Sequence, residues 1–395
     1  MRTARNGQEG QNRLLDNVPL LDVGRQNSEL EPEILPAIME VCRSGRFVLG
    51  PDCVDLETKV AQLCGATHGI GCASGTDALL LALMAIDIGP GDEVIMPSFT
   101  FFATASCAWR LGAKPVFVDI DPNTFNISPE QIRAAITPAT KAIIPVHLFG
   151  RPADMDAIMS LAASHDLTVI EDSAQSIGST YNGRPTGSIG HMSCTSFYPT
   201  KNLGGYGDGG MLTTSDDALA SRLRDLRAHG MNPRYYHNEV GINSRLDSIQ
   251  AAVLNVKIDR LAGWSDARTA NADRYDRLFS ESGLSEAIVL PTRNAREQSV
   301  WNQYTIRVRH GQRDALRQHL ADQGVGSEVY YPVPLHQQAC FQSLDYSLGS
   351  LPETEQASKE VLSLPIFPEL TEAEQQTVVH RIGEFFAAGQ QRMAA

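Results

Sequence analysis

The sequence has no long hydrophobic run. Its longest, Ala78 to Ile86, falls far short of the ~20 apolar residues that cross a bilayer. The opening residues carry some basic character but neither the apolar stretch nor the cleavage site of a secretory signal, so residues 1–16 read as a flexible tail. The seven cysteines (Cys42, Cys53, Cys64, Cys72, Cys107, Cys194 and Cys340) show no CxxC spacing, which argues against a disulfide framework or zinc site and for reduced thiols. The expected compartment is the cytoplasm, with no membrane partner. Basic residues are scarce too: 33 Lys and Arg stand against 46 Asp and Glu, a formal net charge of −13, and they form no cluster. A broad nucleic-acid surface needs such clusters, so an anionic ligand must be met locally. P-loop, zincin and serine-hydrolase motifs are missing, as are internal repeats and low-complexity tracts.

What is present reads as a soluble globular chain. Hydrophobic residues make up 42% and charged residues 20% of 395 positions, a length that predicts two lobes or one large α/β domain with an appendage. From about residue 68, β-like runs at 93–96, 115–120, 142–148 and 167–170 alternate with amphipathic helical stretches at 76–86, 129–136 and 152–165. Such alternation predicts a mostly parallel sheet covered by helices on both faces. The stretch 215–230 opens on Ser215 as a cap, sets acids before arginines and stops at Gly230, the order a helix dipole favours. Another helix is expected over 246–261. After Trp264 the pattern changes, with segments at 304–308, 314–324 and 329–331 and a final helix at 372–388. The division expected is a tail (1–16), a large domain (17–264) and a smaller C-terminal α/β domain (265–395).

Chemistry concentrates at a few places. Asp172 ends the apolar run Leu167-Thr-Val-Ile-Glu-Asp172, and ligands in open parallel sheets lie beyond the carboxyl ends of the strands. Alone it would read as a helix cap. Gly75 and Thr76 sit at a helix start after a β-like run, where free N–H groups attract phosphate. Lys201 lies in Ser196-Phe-Tyr-Pro-Thr-Lys-Asn-Leu-Gly-Gly205, ahead of further glycines that would leave room for a substrate. The spacing Gly205-x-Gly207-x-x-Gly210 matches a dinucleotide fingerprint, but a strand-like run follows it instead of the required helix. With the aromatic segment Phe99-Thr-Phe-Phe102, these features suit pyridoxal 5′-phosphate. That cofactor needs an amine (Lys201), an anion for its ring nitrogen (Asp172) and donors for its phosphate (Gly75, Thr76 and Ser196).

At these residues the chain resembles the DegT/DnrJ/EryC1/StrS family of sugar aminotransferases. The resemblance runs through Ala73-Ser-Gly-Thr-Asp-Ala-Leu79, Pro97-Ser-Phe-Thr-Phe-Phe-Ala-Thr104, Glu171-Asp-Ser-Ala-Gln175, the Lys201 segment, Gly207-Asp-Gly-Gly210, Gly241-Ile-Asn-Ser-Arg-Leu-Asp-Ser-Ile-Gln-Ala-Ala252 and Tyr331-Pro-Val-Pro-Leu-His336. It implies a fold-type I aminotransferase: a mixed, mainly parallel seven-stranded sheet, a smaller C-terminal domain, and a homodimer whose active sites lie at the interface. By the same resemblance Lys201 is the Schiff-base lysine, Asp172 the ring-nitrogen partner, Gln175 the partner of the phenolic oxygen and Phe101 the stacked ring. Asn243 would reach the phosphate from the neighbouring subunit, and Arg234, Tyr331 and His336 would face substrate. The implied reaction moves an amino group from an amino acid, L-glutamate first, to a ketone on a nucleotide-linked sugar, with the 3-keto position favoured over 4-keto by the segment His229–His237. Relatives with histidine in place of the lysine are dehydratases, and others are named as regulators; both remain alternatives. Cysteine desulfuration is a third, resting on Cys340 alone.

Overall fold

A computed structural model describes residues 14–394, with side chains through 389. The expected tail therefore lies outside the described residues up to position 13. Seven short apolar runs form strands: β1 His68–Cys72, β2 Glu93–Pro97, β3 Lys114–Val118, β4 Thr140–Ile143, β5 Thr168–Asp172, β6 Met192–Ser196 and β7 Gly210–Thr214. They join in one sheet of order β1-β7-β6-β5-β4-β2-β3. All run parallel except β7, which is antiparallel to both neighbours. This is the mixed, mainly parallel sheet that the family resemblance implies, and β7 is the strand-like run that disqualified the dinucleotide fingerprint.

Helices cover both faces, which is why consecutive strand residues such as Val94, Ile95 and Met96 are all buried. In chain order they are α1 Val23–Ser44, α2 Pro51–Cys64, α3 Gly75–Met84, α4 Ala103–Arg110, α5 Pro129–Ala135, α6 Met155–His165, α7 Asp217–Leu226, α8 Ser248–Ile258 and α9 Leu261–Glu281. On one face Leu79 and Leu83 of α3, Ala105 and Ala108 of α4 and Leu223 of α7 pack with Met96, Ile144 and Ile170. On the other, Ile132 of α5 and Ile158 and Leu161 of α6 pack with Ile95, Ile143 and Val169. The α3 residues Ala78 to Leu83 are all buried, as expected of a helix that is apolar all round. The cap of α7 is Asp216, whose side chain accepts from the Leu219 N–H; Ser215, the expected cap, instead accepts from the Thr67 N–H at 3.2 Å.

A second, antiparallel sheet joins β8 Ile288–Val289, β9 Tyr304–Val308 and β10 Val361–Leu364 in that order. Around it lie α10 Arg313–Asp322, α11 Pro352–Glu360 and α12 Glu372–Ala394. Its core draws in Val18, which pairs with Val325, while α9 runs unbroken through residue 264. Residues 329–331 form no strand; Glu328 alone bridges Ser363. Among the described residues no helix is long and apolar enough to cross a membrane.

Candidate active site

The parallel strands end at one rim of the large sheet, and a cavity of about 560 Å³ opens there. It brings together eight of the expected residues: Gly75, Thr76, Phe101, Asp172, Gln175, Ser196, Lys201 and Tyr331.

Lys201 follows β6 in a tight turn whose own N–H donates to the Tyr198 carbonyl at 2.8 Å, while the Gly205 N–H donates to Phe197 at 2.8 Å. Lys257, fully buried, donates from Nζ to the Gly204 carbonyl at 2.9 Å. The glycines do not leave room for a substrate as expected. A Cβ on Gly204 would lie 2.3 Å from the Pro199 carbonyl oxygen, and one on Gly210 2.3 Å from that of Ser74, so they let backbone pass close to backbone. Protein packed around Lys201 pushes its ammonium down to about 8, against the opposing pull of the Asp172 charge.

Asp172 is 5% exposed at the end of β5. Thr104 Oγ1 donates to its Oδ2 at 2.9 Å and the Ala174 N–H to its Oδ1 at 3.2 Å. Burial raises its carboxyl above the ordinary carboxylate range in spite of these donors and Lys201. Glu171, one residue earlier on the strand, points to the opposite face. It accepts from His147 Nε2 at 2.8 Å and from the Gly187, Ile189 and Gly190 N–H groups. The His147 tautomer follows from the Ala153 N–H, which donates to Nδ1 at 3.0 Å and leaves Nε2 as the donor.

Ser74 caps α3, accepting from the Asp77 N–H at 3.1 Å, and the first turn opens at the cavity. A Cβ on Gly75 would stand 2.7 Å from the Ser196 Cβ, so only glycine lets this helix start lie against β6. Gln175 accepts from the Phe149 N–H at 2.6 Å and donates to the Tyr331 hydroxyl at 3.2 Å. Phe101 is 57% exposed, its ring 6.2 Å from that of Tyr331. An amine whose pKa is lowered to about 8, a buried carboxylate and a helix start backed by Ser196 form the donor set that pyridoxal 5′-phosphate requires.

Three expected residues lie elsewhere. Asn243 and Arg234 are exposed, Arg234 lying over its own neighbour Tyr235 at 4.8 Å. His336 does not line the cavity: it is buried between Ser98 Oγ at 2.7 Å and Glu355 Oε1 at 3.4 Å. Both ring nitrogens are thus engaged within the protein, and the residue ties the end of β2 to the segment after Tyr331 rather than facing substrate. Thr104 was missed although it ends the quoted Pro97–Thr104 motif. Asn302 was missed as well, and its only signal is a polar residue just ahead of a buried strand.

The chain matches the DegT/DnrJ/EryC1/StrS aminotransferase family over residues 28–383. It is 53% identical to a pleiotropic regulatory protein of Geobacillus stearothermophilus, covering 94% of this chain and 99% of that one. It is 47% identical to a UDP-N-acetyl-3-dehydro-α-D-glucosamine 3-aminotransferase of Acidithiobacillus ferrooxidans, covering 90% and 94%. In structure it is similar to S. venezuelae DesV in complex with a ketimine intermediate, with a TM-score of 0.89, 42% identity and coverage of 93% and 98%. Other solved chains of the same fold hold the cofactor in its pyridoxal or pyridoxamine form. The match spans nearly the whole chain, and this protein belongs to the DegT/DnrJ/EryC1/StrS aminotransferase family.

Proposed function

We propose that this chain, working in the cytoplasm, transfers an amino group from L-glutamate to the ketone of a nucleotide-linked sugar, with the 3-keto position as the first substrate class. The reading is carried by one observation: Lys201 and the buried Asp172 share a cavity with the Gly75–Ser196 helix start. When bound, pyridoxal phosphate supplies an aldehyde for the amine and an electron-withdrawing ring. Lys201 Nζ holds the cofactor. Once displaced, it takes the proton from the donor's α-carbon, and in the second half-reaction it delivers one to the carbon that was the sugar's ketone. Asp172 keeps a positive charge opposite it, the first turn of α3 with Ser196 binds phosphate, and Gln175 and Phe101 orient the ring. The products are 2-oxoglutarate and an amino sugar. The 3-keto preference is supported by the name of the Acidithiobacillus relative.

A second copy of the chain completes the site in this reading. Tyr235, Tyr236 and Val240 are 75%, 68% and 90% exposed on the segment that carries Arg234, an apolar surface that pairing would cover. Asn243 and Arg234, off the cavity of their own chain, would then serve the partner's.

The test is a visible absorption spectrum of the protein with pyridoxal phosphate, before and after L-glutamate. A band that glutamate shifts to shorter wavelength, and that Lys201→Ala abolishes, is the expected outcome. A wild type that stays colourless overturns the reading. A second reading, a regulator, is favoured by the name of the Geobacillus relative; sequence-selective DNA binding in a gel-shift titration would support it against the acidic composition.

A further inference from the structure

We propose that Asn302 reads the acceptor sugar, its amide oxygen accepting a hydrogen bond from an O–H or N–H on a carbon beside the ketone. This rests on the aminotransferase reading above. Asn302 lies at the cavity wall just before β9 and is 7% exposed. Its amide orientation follows from its neighbours. The Val300 carbonyl can only accept, and Asn202 Nδ2 donates to it at 2.9 Å. The Asn202 oxygen therefore faces Asn302, whose Nδ2 donates to it at 2.7 Å. That leaves Asn302 Oδ1 buried with no hydrogen-bond partner among the described residues, a costly state for an acceptor away from water. Gln303, next in the chain, also lines this cavity, and its buried amide oxygen likewise has no partner among the described residues.

The backbone holds this wall in place. The Asn302 N–H donates to the Phe149 carbonyl and the Val300 N–H to that of Gly150, each at 3.0 Å. Between them Trp301 has φ 49°, and across the bridge Phe149 has φ 60°. Bulky residues avoid this left-handed region, and such strain persists only where the surroundings over-determine it. Gly150 completes the arrangement, since a Cβ there would lie 2.9 Å from the Asn302 nitrogen.

An unpaired acceptor at this wall calls for a ligand that offers a donor. L-Glutamate does not meet the call: its carboxylates only accept, and its ammonium is the group transferred. A keto sugar does, because the ring carbons flanking its ketone carry O–H or N–H groups. The wall therefore selects for the second half-reaction and not the first.

The experiment measures the two half-reactions separately by absorbance, for wild type and Asn302→Leu, with L-glutamate and then with UDP-N-acetyl-3-dehydroglucosamine. The expected result is a ~10- to 100-fold fall in kcat/KM for the sugar, with the glutamate step held within ~2-fold. Equal falls in both steps, or none in either, overturn the proposal. Should the variant not fold, the wild type still decides: it is expected to discriminate against sugar analogues lacking the 4-hydroxyl or the C2 N–H, and indifference to both overturns the proposal. A wild type that ignores glutamate overturns the aminotransferase reading and this proposal with it, a failure recognisable before any sugar is added.

Discussion

The two charged groups that matter most sit where burial works against charge. Lys201 is pushed down to about 8 and Asp172 is raised. For Lys201 the sign is direct: below about 8 the amine is protonated and cannot attack an aldehyde, and above it the amine is free. Capture of pyridoxal phosphate by the cofactor-free protein should therefore speed up as pH rises and level off above about 8, measured by stopped-flow absorbance. A rate that keeps climbing towards the ordinary lysine value of 10.5 would show that the surrounding protein does not depress the amine. The types of these residues and their places at a strand end and a glycine-rich turn were legible in the sequence. The environment that tunes them was not, because Thr104 and the packing around Lys201 come from other elements. His336 shows the same limit: its motif was visible, but its burial against Ser98 and Glu355 depends on contacts 238 and 19 residues away.

At the scale of elements, β5 carries two carboxylates to opposite faces, and the hidden one stabilises the exposed rim. Burial alone would raise the Glu171 carboxyl, but His147 and the Gly187 and Gly190 N–H groups outweigh it and hold it below its ordinary value of 4.5. A depressed carboxylate stabilises the fold in full above that ordinary value, and the contribution is lost as pH falls below it through the lower folded-state value. Glu171→Gln should cost about 3 kcal/mol near neutral pH, as for hydrogen bonds lost from a buried charge, and flatten the acid limb in denaturant melts at several pH values. A wild-type acid limb in the variant would assign that limb to other carboxylates. The parallel β/α alternation was readable because each of its strands is a compact apolar run bounded by turns. The strand β10 and helix α11 were not, since Val361–Leu364 has four residues and Pro352–Glu360 is rich in polar ones. The long helix α1 carries Pro32 and Pro36 inside it, residues that ordinarily argue for a break.

At the scale of the whole molecule, the proposed two-chain site can be tested by mixing. If the chain pairs as proposed, Lys201→Ala and Asn243→Asp should each be impaired alone. Co-refolded, they should recover about a quarter of wild-type activity, because half the dimers are mixed and one of their two sites is intact. No recovery would place Asn243 outside the partner's site. The order of the strands also governs how the chain is made. Among the described residues strand β1 pairs only with β7, His68 opposite Thr214, and Val18 waits for Val325. On a ribosome adding ~5–20 residues per second, the first strand to emerge spends several seconds or more without its neighbour. Residue 18 spends longer still, until most of the polypeptide has been synthesised. The nascent amino-terminal third is thus left exposed to chaperones and proteases until the reversed strand arrives to close the edge.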